Sequence, residues 1–369
     1  MRTDLCDRLG IEHPIVGFTP SEHVAAAISR AGGLGVLGAV RFNDPADLAA
    51  ALDWMDKNTD GRPYGVDVVM PMKAPTEGSF GDLKSLVPAG HRDFVEKTLH
   101  ELGVPPLPAS DDPDQDGVLG WLHSVARAHV EVALEHRPAL IANALGSPPA
   151  DVIAQAHERG ILVAALAGRV DHAKRQVADG VDIVVAQGSE AGGHTGEIGS
   201  MVLLPEIVDA VGSSVPVLGA GGIGSGRQLM AALSLGASGV WMGSTWLLTE
   251  EYALGLPNQT AVRRALLAAS SSDTVRARIY SGKMARLVKS KWTEAWAAAD
   301  APDPLPMPLQ NLLVGEAHRR IAAADDPEVV AMPAGQVIGR ISEIRPVADV
   351  IAEMVAEADA TLARLDRLR

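Results

Sequence analysis

Residues 181–196 have the sequence VDIVVAQGSEAGGHTG, an apolar run that ends in a glycine-rich turn carrying His194. Two more segments of this kind follow, VPVLGAGGIG at residues 215–224 and ASGVWMGST at residues 237–245. Helical patterns separate the three runs, so strand and helix alternate at the spacing of parallel βα units. Parallel strands end on one shared face, which is where such folds bind their ligands. We therefore expect the three glycine-rich turns to meet at a common site.

The same alternation extends over most of the chain and predicts a fold. Most strand-like runs are followed by an alanine-rich helical pattern, and eight such units favour an α/β fold of the closed (β/α)8 TIM-barrel type over an open doubly wound sheet. The barrel is expected within residues 1–250, with an insertion at about residues 72–137 after the third strand. Residues 251–369 are expected to form a helical extension packed on the barrel. The eight runs lie at residues 13–18, 34–39, 64–70, 139–144, 161–166, 181–186, 215–220 and 239–242.

Composition narrows the classes of function. Of the 369 residues, 47% are hydrophobic and 21% charged, and no apolar run reaches the roughly 20 residues of a membrane span. A formal net charge of −14 argues against nucleic acid or an anionic membrane as the partner. Cys6 is the only cysteine, which excludes an internal disulfide, and with the lack of an apolar signal region it favours a cytoplasmic location. The remaining expectation is a small-molecule substrate.

Residues 219–224, GAGGIG, match the G-x-G-x-x-G pattern of dinucleotide-binding folds. The context differs from that fold, because the pattern lies late in the chain and the position about 20 residues later, where an acidic residue is expected, falls near Ser244. In a barrel, the loops after strands seven and eight commonly hold a phosphate. Gly221, Gly222, Gly243 and Ser244 occupy those loops, so we predict a phosphate site there. The alternative is that these glycines serve only tight turns.

His194 is the candidate catalytic residue. Its turn lies at the expected ligand-binding face together with Gln187 and Glu190, and an imidazole there can donate or abstract a proton near neutral pH. A role at the surface or in packing is the alternative, because most histidines have one. The other histidines lie mostly on predicted helices without a second ligand four residues on, so the sequence predicts no metal site.

Taken together, these glycine-rich segments resemble the nitronate monooxygenase family, also called 2-nitropropane dioxygenases, which are FMN-dependent TIM-barrel enzymes. The resemblance also rests on AAAISRAGGLG at residues 25–35 and YGVD at residues 64–67. It covers roughly residues 10–250 and weakens afterwards, although SGKMAR at residues 281–286 is still similar to the family pattern.

The resemblance implies a set of site residues. His194 matches the catalytic histidine of the family. The implied cofactor contacts are Gln187, Gly192 and Gly193 on FMN, Gly221, Gly222, Gly243 and Ser244 around its phosphate, and Trp241 and Met242 flanking the site. Asp67 stands where the family has an asparagine and is expected at the flavin face, where an ionised carboxylate cannot donate a hydrogen bond. A methionine found after the first strand in the family is also missing from residues 14–20.

The leading functional hypothesis is oxidation of alkyl nitronates by O2 with FMN, in which His194 binds the anionic substrate or removes an α-proton from the neutral nitroalkane. The first alternative is an FMN-dependent reductase or dehydrogenase that uses NAD(P)H and acts on a quinone or on an enoyl or acyl thioester. A phosphate-binding isomerase or aldolase without redox chemistry is a further alternative. Whether the protein forms a homodimer is left open.

Overall fold

Eight short parallel strands close into a barrel in the computed structural model, which describes residues 2–70, 80–108, 123–254, 256 and 259–368. Each strand is a buried apolar run of four to six residues, and every neighbouring pair is parallel, including the closing pair β1 and β9. The TIM-barrel prediction is therefore confirmed. The barrel strands are β1 (Ile15–Thr19), β2 (Leu34–Gly38), β3 (Tyr64–Val68), β4 (Leu140–Asn143), β5 (Leu162–Ala167), β6 (Ile183–Gln187), β8 (Val217–Ala220) and β9 (Gly239–Met242).

Alternation along the strands divides their side chains between two cores. Val36, Leu140 and Val185 belong to a fully buried cluster inside the barrel. Val66 and Ile141, one position along from inward residues, pack outward against helices. The residue at the C-terminal end of each inward row therefore borders the mouth of the barrel, where the site is expected.

Helices surround the barrel and have recognisable start signals. The Ser21 side chain accepts from the Val24 amide at the start of α2, and Asp44 caps α3 with a proline at its first position. The helices are α1 (Asp4–Leu9), α2 (Glu22–Arg30), α3 (Pro45–Asn58), α4 (Phe80–Ser85), α5 (Ala89–Glu101), α6 (His123–His136), α7 (Ala150–Glu158), α8 (Val170–Ala178), α9 (Ser200–Val211), α10 (Gly226–Ser234), α11 (Thr260–Ala268), α12 (Lys291–Trp296), α13 (Leu309–Ala324) and α14 (Val347–Asp366).

The last helix, α14, lies on the outside of the barrel against α10 and α2. That is the position of the helix after the eighth strand in a (β/α)8 barrel. Gly226 permits the close approach, because a Cβ there would collide with the Met354 carbonyl. The domain boundary near residue 250 stays a prediction, but the chain after it supplies one element of the barrel's helical layer.

The range predicted as an insertion, residues 72–137, contains helices with different neighbours. Helix α6 packs on α3 and β3, whereas α5 packs on α13 and shares an apolar cluster with the C-terminal part of the chain. The acidic loop at residues 111–117 lies outside the described residues. No helix of the described part is long and apolar enough to span a membrane.

A small antiparallel sheet covers one side of the barrel mouth. Strands β10 (Thr274–Ala277) and β11 (Ala285–Val288) form a hairpin, and β11 also pairs with the two-residue strand β7 (Gly193–His194). The sequence predicted a mostly helical chain after residue 250 and missed this hairpin. Its consequence is that the predicted catalytic histidine is held in a sheet rather than in a free loop.

Candidate active site

His194 is fixed by the hairpin on which it pairs. Its partner across the ladder is Ala285, and its Nε2 lies 2.5 Å from the Ser281 Oγ. The Ser281 Oγ accepts a hydrogen bond from the Lys283 amide at 3.3 Å, which leaves the hydroxyl proton for the imidazole. The ring is therefore oriented by the turn between β10 and β11, about 90 residues further along the chain.

Burial, with a smaller contribution from the nearby positive charge of Lys283, lowers the pKa of His194 to about 4. The imidazole is neutral at pH 7 in the substrate-free protein. A neutral ring can hold a hydrogen bond to a substrate, and it becomes a stronger base when an anion binds beside it and offsets the Lys283 charge.

The cavity beside His194 has a volume of about 680 Å³, within the range of roughly 300–1,000 Å³ that is usual for ligand pockets. Gln187, at the end of β6, shares its lining with His194. Other parts of the lining come from the loop after β4, one side of α8 with the residues just before it, and the turn between β10 and β11. The cavity therefore lies at the C-terminal face of the barrel, as the parallel strands predict.

Arg286 holds the loop between β6 and β7 against the hairpin. Its guanidinium donates twice to the Ser189 carbonyl, at 2.9 and 2.7 Å, and once to the Thr274 hydroxyl at 2.8 Å. The side chain is 8% exposed, so these bonds are shielded from water. From the other side, the Glu190 carboxylate accepts from the amide and hydroxyl of Ser200. The start of the glycine-rich loop is thus anchored from two sides.

Asp67 is buried in the barrel mouth. It is 3% exposed and lies between Gly38 and Ala142 on the neighbouring strands, neither of which offers a side-chain partner. No hydrogen bond to its carboxyl is found among the described residues, and burial raises its pKa well above the ordinary value for aspartate. A protonated carboxyl can donate a hydrogen bond. The expectation from the sequence that Asp67 cannot donate holds only for the ionised group, and the raised pKa widens the pH range in which Asp67 can donate.

Two aromatic residues border the same mouth. Trp241 belongs to the cluster inside the barrel and stacks on Phe18, with the ring centroids 6.4 Å apart. Met242, one position further, packs in the outer core with Trp246. Its side chain faces the helical layer, so only its backbone can border the mouth.

The loop after β8 presents free backbone amides. Gly221 and Gly222 have φ values of +98° and +72°, which L side chains rarely adopt. The amides of Gly221, Gly222 and Ile223 donate to no group in the described part of the chain. Gln228 shapes the loop by donating to the Gly222 carbonyl and accepting from the Gly224 amide. Consecutive free amides of this kind form an anion-binding cradle.

The loop after β9 faces a segment from the C-terminal part of the chain. Ser244 Oγ accepts from the Gly335 amide at 2.8 Å, and a Cβ on Gly192 would lie 2.6 Å from the same nitrogen. Gly192 is therefore needed for this close packing. Gly243 has space for a side chain, since a Cβ there would contact only Phe18, at 3.9 Å. Gly193 has φ +73°, and a Cβ built on it would have no neighbour within 4 Å.

The nitronate monooxygenase family model matches residues 2–357. This chain belongs to that family. The Mycobacterium tuberculosis protein Rv1533, named as a monooxygenase without a stated substrate, is 46% identical, and the alignment covers 100% of this chain and 99% of the relative.

Solved structures give the same fold. The nitroalkane oxidase from Streptomyces ansochromogenes is 26% identical with a TM-score of 0.78, and the match covers 98% and 99% of the two chains. FabK from Thermotoga maritima is 27% identical with a TM-score of 0.74 over 100% of both chains.

As a nitronate monooxygenase family member, the protein is an FMN-dependent oxidoreductase. The residues present fit this cofactor. Free amides at Gly221 and Gly222 suit a phosphate, and the buried Asp67 carboxyl and the Trp241 ring line the mouth where a flat ring can lie. The non-redox alternative is thereby removed. Sequence reasoning assigned no role to Ser281, Lys283 and Arg286, although the SGKMAR pattern contained all three.

Proposed function

We propose that this protein oxidises alkyl nitronates with O2, and that His194 is the catalytic group that positions the nitronate. The observation that carries the proposal is a neutral imidazole beside the Lys283 ammonium in the cavity at the barrel mouth. Bound FMN supplies the electron-accepting group and passes electrons to O2. The protein's part is to bind the anion and hold it in position.

The protonation state of His194 favours the nitronate over the neutral nitroalkane. An imidazole with a pKa of about 4 is a weak base. The α-carbon of a nitroalkane is a much weaker acid than the protonated His194 ring, so transfer of its proton to His194 is unfavourable. A preformed nitronate needs no such proton transfer. The nitronate also supplies a negatively charged partner for the Lys283 ammonium, which makes no ion pair among the described residues.

Each residue then has a defined task. Lys283 attracts the nitronate oxygens, and an imidazole N–H of His194 donates the hydrogen bond that fixes their orientation. Ser281 keeps the ring in place through its bond to Nε2. The hairpin that carries Ser281 and Lys283 excludes water from one side of the cavity.

A second candidate function is an FMN-dependent reductase that uses NAD(P)H. The observation that favours it is the basic rim of the cavity, which includes Arg169, just before α8, and Arg175 on α8. The similarity to FabK also leaves it open.

The test is anaerobic stopped-flow mixing of FMN-loaded protein with propyl-2-nitronate and, separately, with NADH and NADPH. We expect flavin bleaching by the nitronate, slowed about 100-fold in His194→Ala, which is the size of effect that misplacing a substrate can have. His157→Ala, which removes an exposed histidine on α7 paired with Asp182, is the matched control and should react like the wild type. Bleaching by a nicotinamide and none by the nitronate would reassign the protein as a reductase.

A further inference from the structure

The turn between β10 and β11 carries the hydroxyl that orients His194. Ser281, whose Oγ contacts the His194 ring, is fully buried in this turn. The next residue, Gly282, has φ +87°, and its amide donates to the Arg278 carbonyl at 2.8 Å. These bonds fix the shape of the turn, but they do not fix its place over the barrel. The contact between Ser281 and His194 therefore also depends on what holds the turn from outside.

A segment that precedes α13 packs directly against this turn. A Cβ on Gly282 would lie 2.3 Å from the Leu305 carbonyl oxygen and 2.6 Å from the Met307 nitrogen. The two backbones are thus in close contact, which only glycine permits. As a result, the N-terminal end of α13 lies beside the turn that carries Ser281.

Gln310, in the first turn of α13, joins the two segments. Its side chain is fully buried, its Nε2 donates to the Ile279 carbonyl at 2.9 Å, and its Oε1 accepts from the Leu305 amide at 2.8 Å. A primary amide offers a donor and an acceptor on one group, and both are used here. The turn is therefore tied to α13 two residues before Ser281.

The same face of α13 makes a second contact with the turn. His318 lies eight residues after Gln310, on the same side of the helix, and its ring stacks on Tyr280 with the centroids 5.1 Å apart. Trp292 of α12 meets the His318 ring edge-on at 6.0 Å. Val314, between the two contacts, is buried. One packed face of α13 thus sets the position of the turn.

We propose that Gln310 is a positioning residue of the candidate active site: it holds the turn so that the Ser281 hydroxyl stays against His194. Within the described residues, Gln310 is not part of the cavity lining, so it acts on the substrate only through the residues that it places. The inference rests on the proposed role of His194, and the first measurement below reads the His194 ring without any turnover of nitronate.

That measurement compares the histidine ring 15N resonances of FMN-loaded wild type, Ser281→Ala and Gln310→Met, with His194→Asn to assign the resonance of His194. Methionine is similar to glutamine in length and volume, so Gln310→Met keeps the packing and loses both hydrogen bonds. Its His194 Nε2 resonance should move in the same direction as in Ser281→Ala, because the ring nitrogen loses the same hydroxyl in both. Gln310→Asn is one methylene shorter and can keep one of the two bonds, so it should show a smaller movement and serves if Gln310→Met does not fold.

The second measurement is kcat/KM for propyl-2-nitronate. Gln310→Met should lower it roughly fivefold, within the single tenfold step that an orienting hydrogen bond contributes. In the Ser281→Ala background the same substitution should cost far less, because the contact that it maintains is already absent. Arg320→Met is the matched control. Arg320 also lies on α13 but bonds to Glu96 and to the Pro105 carbonyl, so its loss should lower Tm and leave both kcat/KM and the His194 resonance unchanged.

An unmoved His194 resonance in a folded Gln310 variant would overturn the inference, and so would losses that multiply in the double variant. These failures are distinguishable from failure of the proposed function. A wild type that reacts with nitronate and gives either result loses only this inference. A protein that ignores nitronate, yet shows the expected movement of the His194 resonance, loses only the proposed function.

Discussion

Asp67→Asn should make the protein more stable, by an amount that grows with pH. The carboxyl is 3% exposed, has no charged neighbour, and has a pKa raised well above the ordinary aspartate value of 3.8. In the unfolded chain the same group ionises near that ordinary value. Between the two pKa values the native protein binds one more proton than the unfolded chain, so its stability falls as pH rises.

The magnitude follows from this single proton. Each pH unit inside the window costs the wild type about 1.4 kcal/mol of unfolding free energy. Asparagine does not titrate and has nearly the same volume, so the unfolding free energy of the variant lacks this pH-dependent loss. The stability difference between Asp67→Asn and the wild type should therefore rise by about 1.4 kcal/mol per pH unit, from just above pH 4 up to the native pKa, and then level off.

The assay is urea unfolding of the FMN-free protein, followed by tryptophan fluorescence at pH 5, 6, 7 and 8 and constant ionic strength. Removing FMN avoids stabilisation by ligand binding, and comparing two variants cancels the histidine titrations. Asp53→Asn, an exposed carboxylate on α3, is the control substitution. Parallel stability curves for Asp67→Asn and the wild type would refute the argument, because they would mean that Asp67 is ionised in the native state.

Three further predictions test the contacts that hold the candidate active site in place. Ser281→Ala should lower kcat/KM for the nitronate about tenfold, because the His194 ring loses the hydrogen bond that orients it. Ser281→Thr keeps the hydroxyl and should retain most of the activity; steady-state O2 consumption measures both variants. Arg286→Ala should cost roughly 2 kcal/mol or more of stability in thermal unfolding, because the Ser189 carbonyl is left without its donors; an unchanged Tm would contradict the anchoring role. Gly221→Ala should weaken FMN binding, measured by flavin fluorescence, since alanine is strained at φ +98° and its Cβ would press on the Gly188 carbonyl.

The barrel could be predicted because each of its strands and helices is indicated by a short, continuous stretch of sequence. Each strand is a short buried apolar run followed by a helical pattern, and the run at residues 239–242 has the same bounds in the structure. The other strand boundaries move by one or two residues.

The β10–β11 hairpin could not be predicted for the opposite reason. Its strands have four residues each, carry Arg276 and Arg286 in their centres, and have no apolar alternation. They are strands because of what they contact: β11 finds a partner in β7, a two-residue segment of a glycine-rich turn. A pairing across about 90 residues between such weak segments depends on the finished barrel.

The same dependence on distant contacts explains why chemistry was harder to predict than geometry. Glycine positions reveal themselves in the sequence, because a left-handed φ or a close approach requires glycine wherever the chain lies. The protonation states of His194 and Asp67 depend instead on burial and on a lysine that arrives with the hairpin. Sequence identified both residues but not the shifts that burial imposes: the pKa of His194 is lowered to about 4, and the pKa of Asp67 is raised well above its ordinary value. The position of this site can therefore be predicted from its glycines, whereas the pKa values of its side chains depend on burial and on the hairpin that packs over it.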